Sequence, residues 1–157
     1  MTDPVAHKQA WKISDVVMFP ALAIAILIEF LSPTHIPGLP LWILLPAGIV
    51  LVVAGFRLIS ASKATLDKHE QPSLPGTPTT CLVTDGPFKY SRNPNYLGAI
   101  SIAVGLGLAV NSLWFLAIAV MCMLLLDIWM IRPEERYLRQ QFGEEYEVYT
   151  RNTRRWL

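Results

Sequence analysis

Two polar stretches hold most of the groups in this chain that could do chemistry. Lys89-Tyr90-Ser91-Arg92-Asn93-Pro94-Asn95-Tyr96 supplies a guanidinium, carboxamides and phenols, and Arg132-Pro133-Glu134-Glu135-Arg136-Tyr137 supplies paired carboxylates. A guanidinium clasps a carboxylate in a two-pronged fork. Neighbouring acids accept hydrogen bonds from sugar hydroxyls or an amine, and a tyrosine face attracts a cation. Taken together, these types suit a zwitterionic ligand that also carries a diol. Pro94 starts a helix and leaves nearby backbone N–H groups unpaired, which favours an anionic group at that end. The competing reading is that Arg92 simply pairs with Glu134 or Glu135 at a membrane surface. Residue types alone weigh the two equally.

The stretches lie far apart in sequence, so the elements between them must bring them together. Of the 157 residues, 53% are apolar, and a mean hydropathy of +0.40 calls for lipid rather than water as solvent. A net charge of +1 gives no electrostatic basis for nucleic-acid binding. The expected fold is a single all-α, polytopic membrane domain with four transmembrane helices, at about 14–31, 41–60, 96–110 and 112–131, judged against the roughly 20 residues a span requires. A cytoplasmic loop (61–95) and a cytoplasmic tail (132–157) complete it. Pro133 is expected to open a new amphipathic helix in the tail, or a helix pair broken near Gly143. The first span begins after Asp15 and lacks a cleavage pattern, so it is expected to be retained.

Only Asn111-Ser112 separates the third and fourth spans, which predicts a tight antiparallel hairpin. Counting back from that turn, Tyr96 lies roughly 23 Å down one arm and Arg132 roughly 30 Å down the other. Both polar stretches then reach the same membrane face. The 13 Lys and Arg sit before the first span, in or beside the 61–95 segment, or after the fourth, which predicts cytoplasmic N- and C-termini. Arg154-Arg155-Trp156 suits the anionic headgroup layer. Cys81 and Cys122 are not expected to pair, and the scattered His7, His35 and His69 predict no metal site. Within the loop, 71–80 reads as extended and turning, 82–84 as a short extended piece, and Asp85-Gly86-Pro87 as a turn.

The run Leu82-Val83-Thr84-Asp85-Gly86-Pro87-Phe88, then Ser91-Arg92-Asn93-Pro94-Asn95-Tyr96-Leu97-Gly98, then Glu134-Glu135 and Phe142-Gly143 with Tyr146 and Tyr149, resembles the isoprenylcysteine carboxyl methyltransferases and the related phospholipid methyltransferases. The resemblance covers Cys81 to the C-terminus, with the first two spans alike only in hydropathy. It implies an integral membrane enzyme that takes S-adenosylmethionine from the cytosol and a lipophilic acceptor from the bilayer: the carboxylate of a prenylated cysteine-like group, or a lipid amine. By the same resemblance, Leu82, Val83 and Gly86 offer backbone contacts to adenine; Arg92, Asn93, Pro94 and Tyr96 line the methionine part; and Glu134 or Glu135 binds ribose or the amino group. Arg92, Asn93 and Glu135 are the candidate catalytic residues. Carboxyl-methylating members usually carry His where Cys81 stands and Arg-His-Pro where Arg92-Asn93-Pro94 stands, and an Asn-Pro pair resembles the phospholipid methyltransferases. The implied membrane is the plasma membrane in a prokaryote and the endoplasmic reticulum in a eukaryote.

Integral membrane sterol reductases, which bind a nicotinamide cofactor, resemble the same Arg-x-Pro-Asn-Tyr-x-Gly segment but have many more spans. A non-catalytic membrane adaptor is a third reading, left open by Cys81 and Asn93. Asp127 lies one turn inside the fourth span and needs a partner; Arg57 is the favoured one, over a role in orienting Arg92. Glu29 near the outer face is expected to reach water. Gly105 and Gly107 are read as helix packing rather than cofactor binding. Tyr146 and Tyr149 either cover the ligand or anchor the tail.

Overall fold

The computed structural model describes residues 10–71 and 79–157, and the side chains of residues 17–71 and 79–157. Most of the expected extended stretch at 71–80, together with His7, Lys8 and the side chains of Lys12 and Asp15, lies outside the described residues. The protein is all-α. Among the described residues, six α-helices follow in order: α1 (Ala10–Leu31), α2 (Leu41–Lys68), α3 (Pro94–Ala109), α4 (Leu113–Leu126), α5 (Arg132–Phe142) and α6 (Glu144–Asn152). A 3₁₀ turn at Gly86–Lys89 leads into α3, and a π-helical turn at Asp127–Ile131 joins α4 to α5. Among the described residues the only extended pairing outside helices is a parallel bridge between Ser91 and Arg154.

Among the described residues, two helices are long and apolar enough to cross a membrane: α2, and a continuous 30-residue helix from Leu113 to Phe142. Val17–Leu31 and Pro94–Ala109 are apolar but shorter. Large apolar side chains such as Phe30, Trp42, Val50 and Phe56 point outward, a surface that lipid would cover and water would not.

Two boundaries differ from the sequence reading. Helix α2 continues past residue 60, where the polar loop was expected to start. Its hydroxyl residues turn back on their own helix, Ser62 Oγ to the Leu58 carbonyl (2.7 Å) and Thr65 Oγ1 to the Ala61 carbonyl (2.9 Å), so loss of apolarity does not end it. Pro133 stands in the first turn of α5, as expected, but no break separates α5 from the helix before it. Proline lacks an N–H and crowds the carbonyl four residues back, at Trp129. Widening to a π turn, with the Arg132 N–H donating to the Asp127 carbonyl, lets the helix pass through. The helix does stop at Gly143, whose φ of +52° starts the turn into α6.

Helix α2 packs most extensively against α3. Glycines permit the close approach: a Cβ at Gly55 would lie 2.6 Å from the Gly98 carbonyl oxygen, and one at Gly105 2.7 Å from that of Gly48. Gly107 instead faces Leu116 and Phe115 of α4, so both Gly105 and Gly107 serve helix packing. Helices α3 and α4 form the hairpin, with Asn111 at φ +55° and Ser112 Oγ accepting from the Phe115 N–H. A polar latch ties this turn to the end of α1. Glu29 accepts from Ser112 Oγ and from the Thr34 N–H at 3.0 Å, while Asn111 Oδ1 accepts from the Ile36 N–H at 2.9 Å. Glu29, half-buried, therefore also serves the fold. At the other end, a buried cluster of Ala21, Ile100, Cys122, Leu126 and Met130 is flanked by Tyr96 and Trp156. Trp156, expected in the headgroup layer, packs against this core.

Candidate functional site

The site forms where three segments meet: the start of α3, the first turn of α5 and the chain's last residues. Tyr90 closes the 3₁₀ turn, so the backbone reaches Ser91–Asn93 extended enough to pair with a neighbour. The neighbour is the C-terminal segment. The Arg92 N–H donates to the Arg154 carbonyl (2.9 Å), and the Arg155 carbonyl accepts from Asn93 Nδ2 (3.0 Å) and Ser91 Oγ (3.3 Å). Tyr149 steers the segment into place by donating its hydroxyl to the Phe88 carbonyl at 2.7 Å. Pro94 is buried and sits in the first turn of α3.

Side chains close the arrangement. Arg92 Nη2 lies 3.3 Å from Glu135 Oε1, so the hairpin does bring the two distant polar stretches together. Arg155 grips the same carboxylate with both prongs, Nε to Oε1 at 3.0 Å and Nη2 to Oε2 at 2.6 Å. Its remaining nitrogen donates to Asp127 Oδ1 at 3.2 Å, and Arg132 Nε donates to Asp127 Oδ2 at 2.7 Å. Arg92 and Glu135 are largely shielded, their side chains 13% and 9% exposed, which strengthens each interaction over its value in water. Asp127 thus pairs with Arg132 and Arg155, not with Arg57. Arg57 is exposed on α2, which packs on α3, whereas Asp127 sits beyond α4.

Some hydrogen-bonding capacity is left over. Among the described residues, Arg92 Nε and Asn95 Oδ1 are buried without a partner, one open donor and one open acceptor at the start of α3. Glu134 is half-buried and among the described residues makes no hydrogen bond or ion pair; burial and then the charge of Glu135 push its carboxyl up to about 7. Tyr96 lies within electrostatic range of Glu134. Tyr146 is fully buried and meets Tyr149 edge to face at 6.2 Å. Burial, with Glu135 nearby, pushes its phenol up to about 12. Of the tail's two tyrosines, Tyr149 anchors the tail.

The remaining expected contacts come from the loop. Val83 is buried, Leu82 half-buried and Gly86 exposed. Gln71 pins the loop's return by accepting from the Thr80 N–H at 2.9 Å and the Cys81 N–H at 3.3 Å. The Thr79 N–H donates to the Tyr137 hydroxyl at 3.2 Å, which sets the 79–83 stretch beside α5. Gly86, at φ +55°, lies against Thr65 of α2. Asn93, a candidate catalytic residue, spends its side-chain N–H on the Arg155 carbonyl.

Two residues escaped the sequence reading. Arg155 looked like a headgroup anchor because two arginines and a tryptophan follow one another there. The acid buried at Asp127 was the available signal that some cation had to arrive. Asn95 stood among the carboxamides of its stretch without a role of its own, since its importance rests on being unpartnered among the described residues.

Residues 42–145 match the phospholipid methyltransferase family. No curated protein and no solved structure matches the chain. The match begins at α2, so it reaches further towards the N-terminus than the motifs from Cys81 onward suggest. It spans the α2–α3 pair, the hairpin and both polar stretches, and with these elements in place the chain belongs to the phospholipid methyltransferase family, whose members transfer methyl groups to membrane lipids.

Proposed function

We propose that this protein transfers the methyl group of S-adenosylmethionine to the amine of a phospholipid held in the bilayer. The observation that carries the reading is the set of unspent groups around the Arg92–Glu135 pair: Arg92 Nε, Asn95 Oδ1 and the Glu134 carboxyl. A donor beside two acceptors fits an amino-acid moiety, with its carboxylate on Arg92 and its ammonium on Glu134 and Asn95. Leu82, Val83 and Gly86 would meet the adenine, and Tyr96 would face the sulfonium. When bound, the sulfonium supplies an already activated methyl group, so the protein's own work is alignment and exclusion of water.

A lipid acceptor fits the apolar walls. A cavity of about 190 Å³ lies between α1, α3 and α4, bounded by side chains including Met18, Ala25, Ala103, Phe115 and Cys122, and Met18 also borders the core cluster beneath the site, together with Tyr96. A phospholipid acceptor agrees with the family's description, and the Asn93-Pro94 pair resembles the phospholipid methyltransferases. In this reading α1 to α4 each cross the bilayer, with both termini and the site in the cytosol, as the one-sided Lys and Arg distribution favours. The shorter α1 and α3 cross by drawing in flanking residues or a locally thinner bilayer.

The test is methyl transfer in vesicles. Purified protein in vesicles containing phosphatidylethanolamine, given S-adenosylmethionine labelled in its methyl group, is expected to place label in methylated phosphatidylethanolamine. Arg92→Ala is expected to lower the rate at least a hundredfold. Absence of labelled lipid from well-folded protein would overturn the reading.

A further inference from the structure

We propose that the C-terminal segment Thr153–Leu157 is a strap that completes the ligand site, and that Arg155 is a positioning residue which keeps Arg92 available to the ligand. The inference rests on the functional reading above. It concerns residues beyond the matched family segment, which ends at 145.

Glu135 faces two guanidiniums, and Arg155 takes both of its oxygens, at 3.0 and 2.6 Å. Arg92 reaches only one of them, through Nη2 at 3.3 Å, and its buried Nε stays unpartnered. Arg155 thus occupies the position that Arg92 would otherwise fill, and the Arg92 fork keeps a free edge. Without Arg155, Glu135 and Asp127 would each lose a cation. Glu135 would then draw Arg92 into its own fork, and the site would turn more negative towards a ligand carboxylate. The strap's backbone works to the same end, holding Ser91, Arg92 and Asn93 through the Arg154 and Arg155 carbonyls. The two acids that receive Arg155 stand about two turns apart along the helix that carries the π widening, so the widening and the strap act together.

The test is calorimetric titration of the full-length, detergent-purified protein with S-adenosylhomocysteine. Arg155→Ala is expected to weaken binding at least tenfold, and Arg155→Lys to weaken it less. Adding guanidinium ion at millimolar concentration is expected to restore part of the Arg155→Ala loss, which a general loosening of the fold would not allow. Arg151→Ala, which removes an exposed guanidinium on α6 outside the strap, is expected to bind as the wild type does. If wild type binds and Arg155→Ala binds equally well, or if its loss is rescued by neither guanidinium nor lysine, the strap proposal is overturned. If the wild type itself does not bind, the functional reading fails and takes this inference with it.

Discussion

Glu134 and Glu135 are adjacent and identical in type, yet their surroundings give them different work. Glu135 is locked between Arg92 and Arg155, while Glu134 keeps an open carboxyl pushed up to about 7 by burial and by its neighbour's charge. The sign of the pH effect follows. Below about 7 Glu134 is increasingly neutral and holds a ligand ammonium poorly; above it the carboxylate forms and attraction grows. Affinity for S-adenosylhomocysteine is therefore expected to rise from pH 6 to pH 8, and Glu134→Gln to flatten that rise. A pH profile unchanged by the substitution would remove Glu134 from the site. Stability has the opposite slope. A carboxyl raised in the folded state binds its proton more tightly there than when unfolded, so this group's contribution is full below the usual carboxylate range and fades as pH climbs through about 7. At this scale the sequence was only partly legible. Arg92 and the twin glutamates stood out by type, but nothing in the order of residues distinguished the clamped acid from the free one.

Helix α3 shows how an element can be read correctly and still hide its constraints. Its apolar run and opening proline were visible in sequence; its closeness to α2 was not, because glycines are informative only once their opposite faces are known. Gly55 and Gly98 meet backbone to backbone, and a Cβ at Gly98 would fall 2.7 Å from Ile59 Cγ1 and 2.8 Å from the Gly55 carbonyl. Gly98 lies one turn beyond Pro94, so pushing α3 away there would also move Arg92. Gly98→Val is expected to destabilise the protein by about 1–3 kcal/mol, seen as a lower thermal unfolding midpoint in detergent. Any variant that remains folded is expected to bind S-adenosylhomocysteine less well. An unchanged midpoint would mean that the helices are not packed this closely. The π turn was illegible for a different reason: Pro133 signals a break, and whether a helix stops or widens around a proline depends on packing on both sides.

The whole molecule places its polar groups at two ends. The Glu29, Thr34 and Ser112 latch fastens one end, and the arginine–carboxylate network fastens the other. Hydropathy and charge made this polarity legible from sequence, because lipid penalises any other arrangement of such groups. The C-terminal return was beyond that logic, since a short basic tail serves equally well on a lipid surface or folded into a site. If both termini face the cytosol, Leu39, on the α1–α2 connection and 50% exposed, faces outward, and exposed Thr84 faces inward. In a Cys81→Ser background, a membrane-impermeant maleimide is expected to label Leu39→Cys in intact cells and Thr84→Cys only after permeabilisation. The reverse pattern would invert the topology.

The central claim is that the α3–α4 hairpin and the strap assemble an S-adenosylmethionine site around Arg92 and Glu135. Titration of the purified protein with S-adenosylhomocysteine and, separately, with NADPH tests it most directly. The account predicts saturable binding of S-adenosylhomocysteine, weakened at least tenfold by Arg92→Ala and by Glu135→Gln, and no heat from NADPH. Binding of NADPH instead, or binding of S-adenosylhomocysteine that both substitutions leave intact, would contradict it.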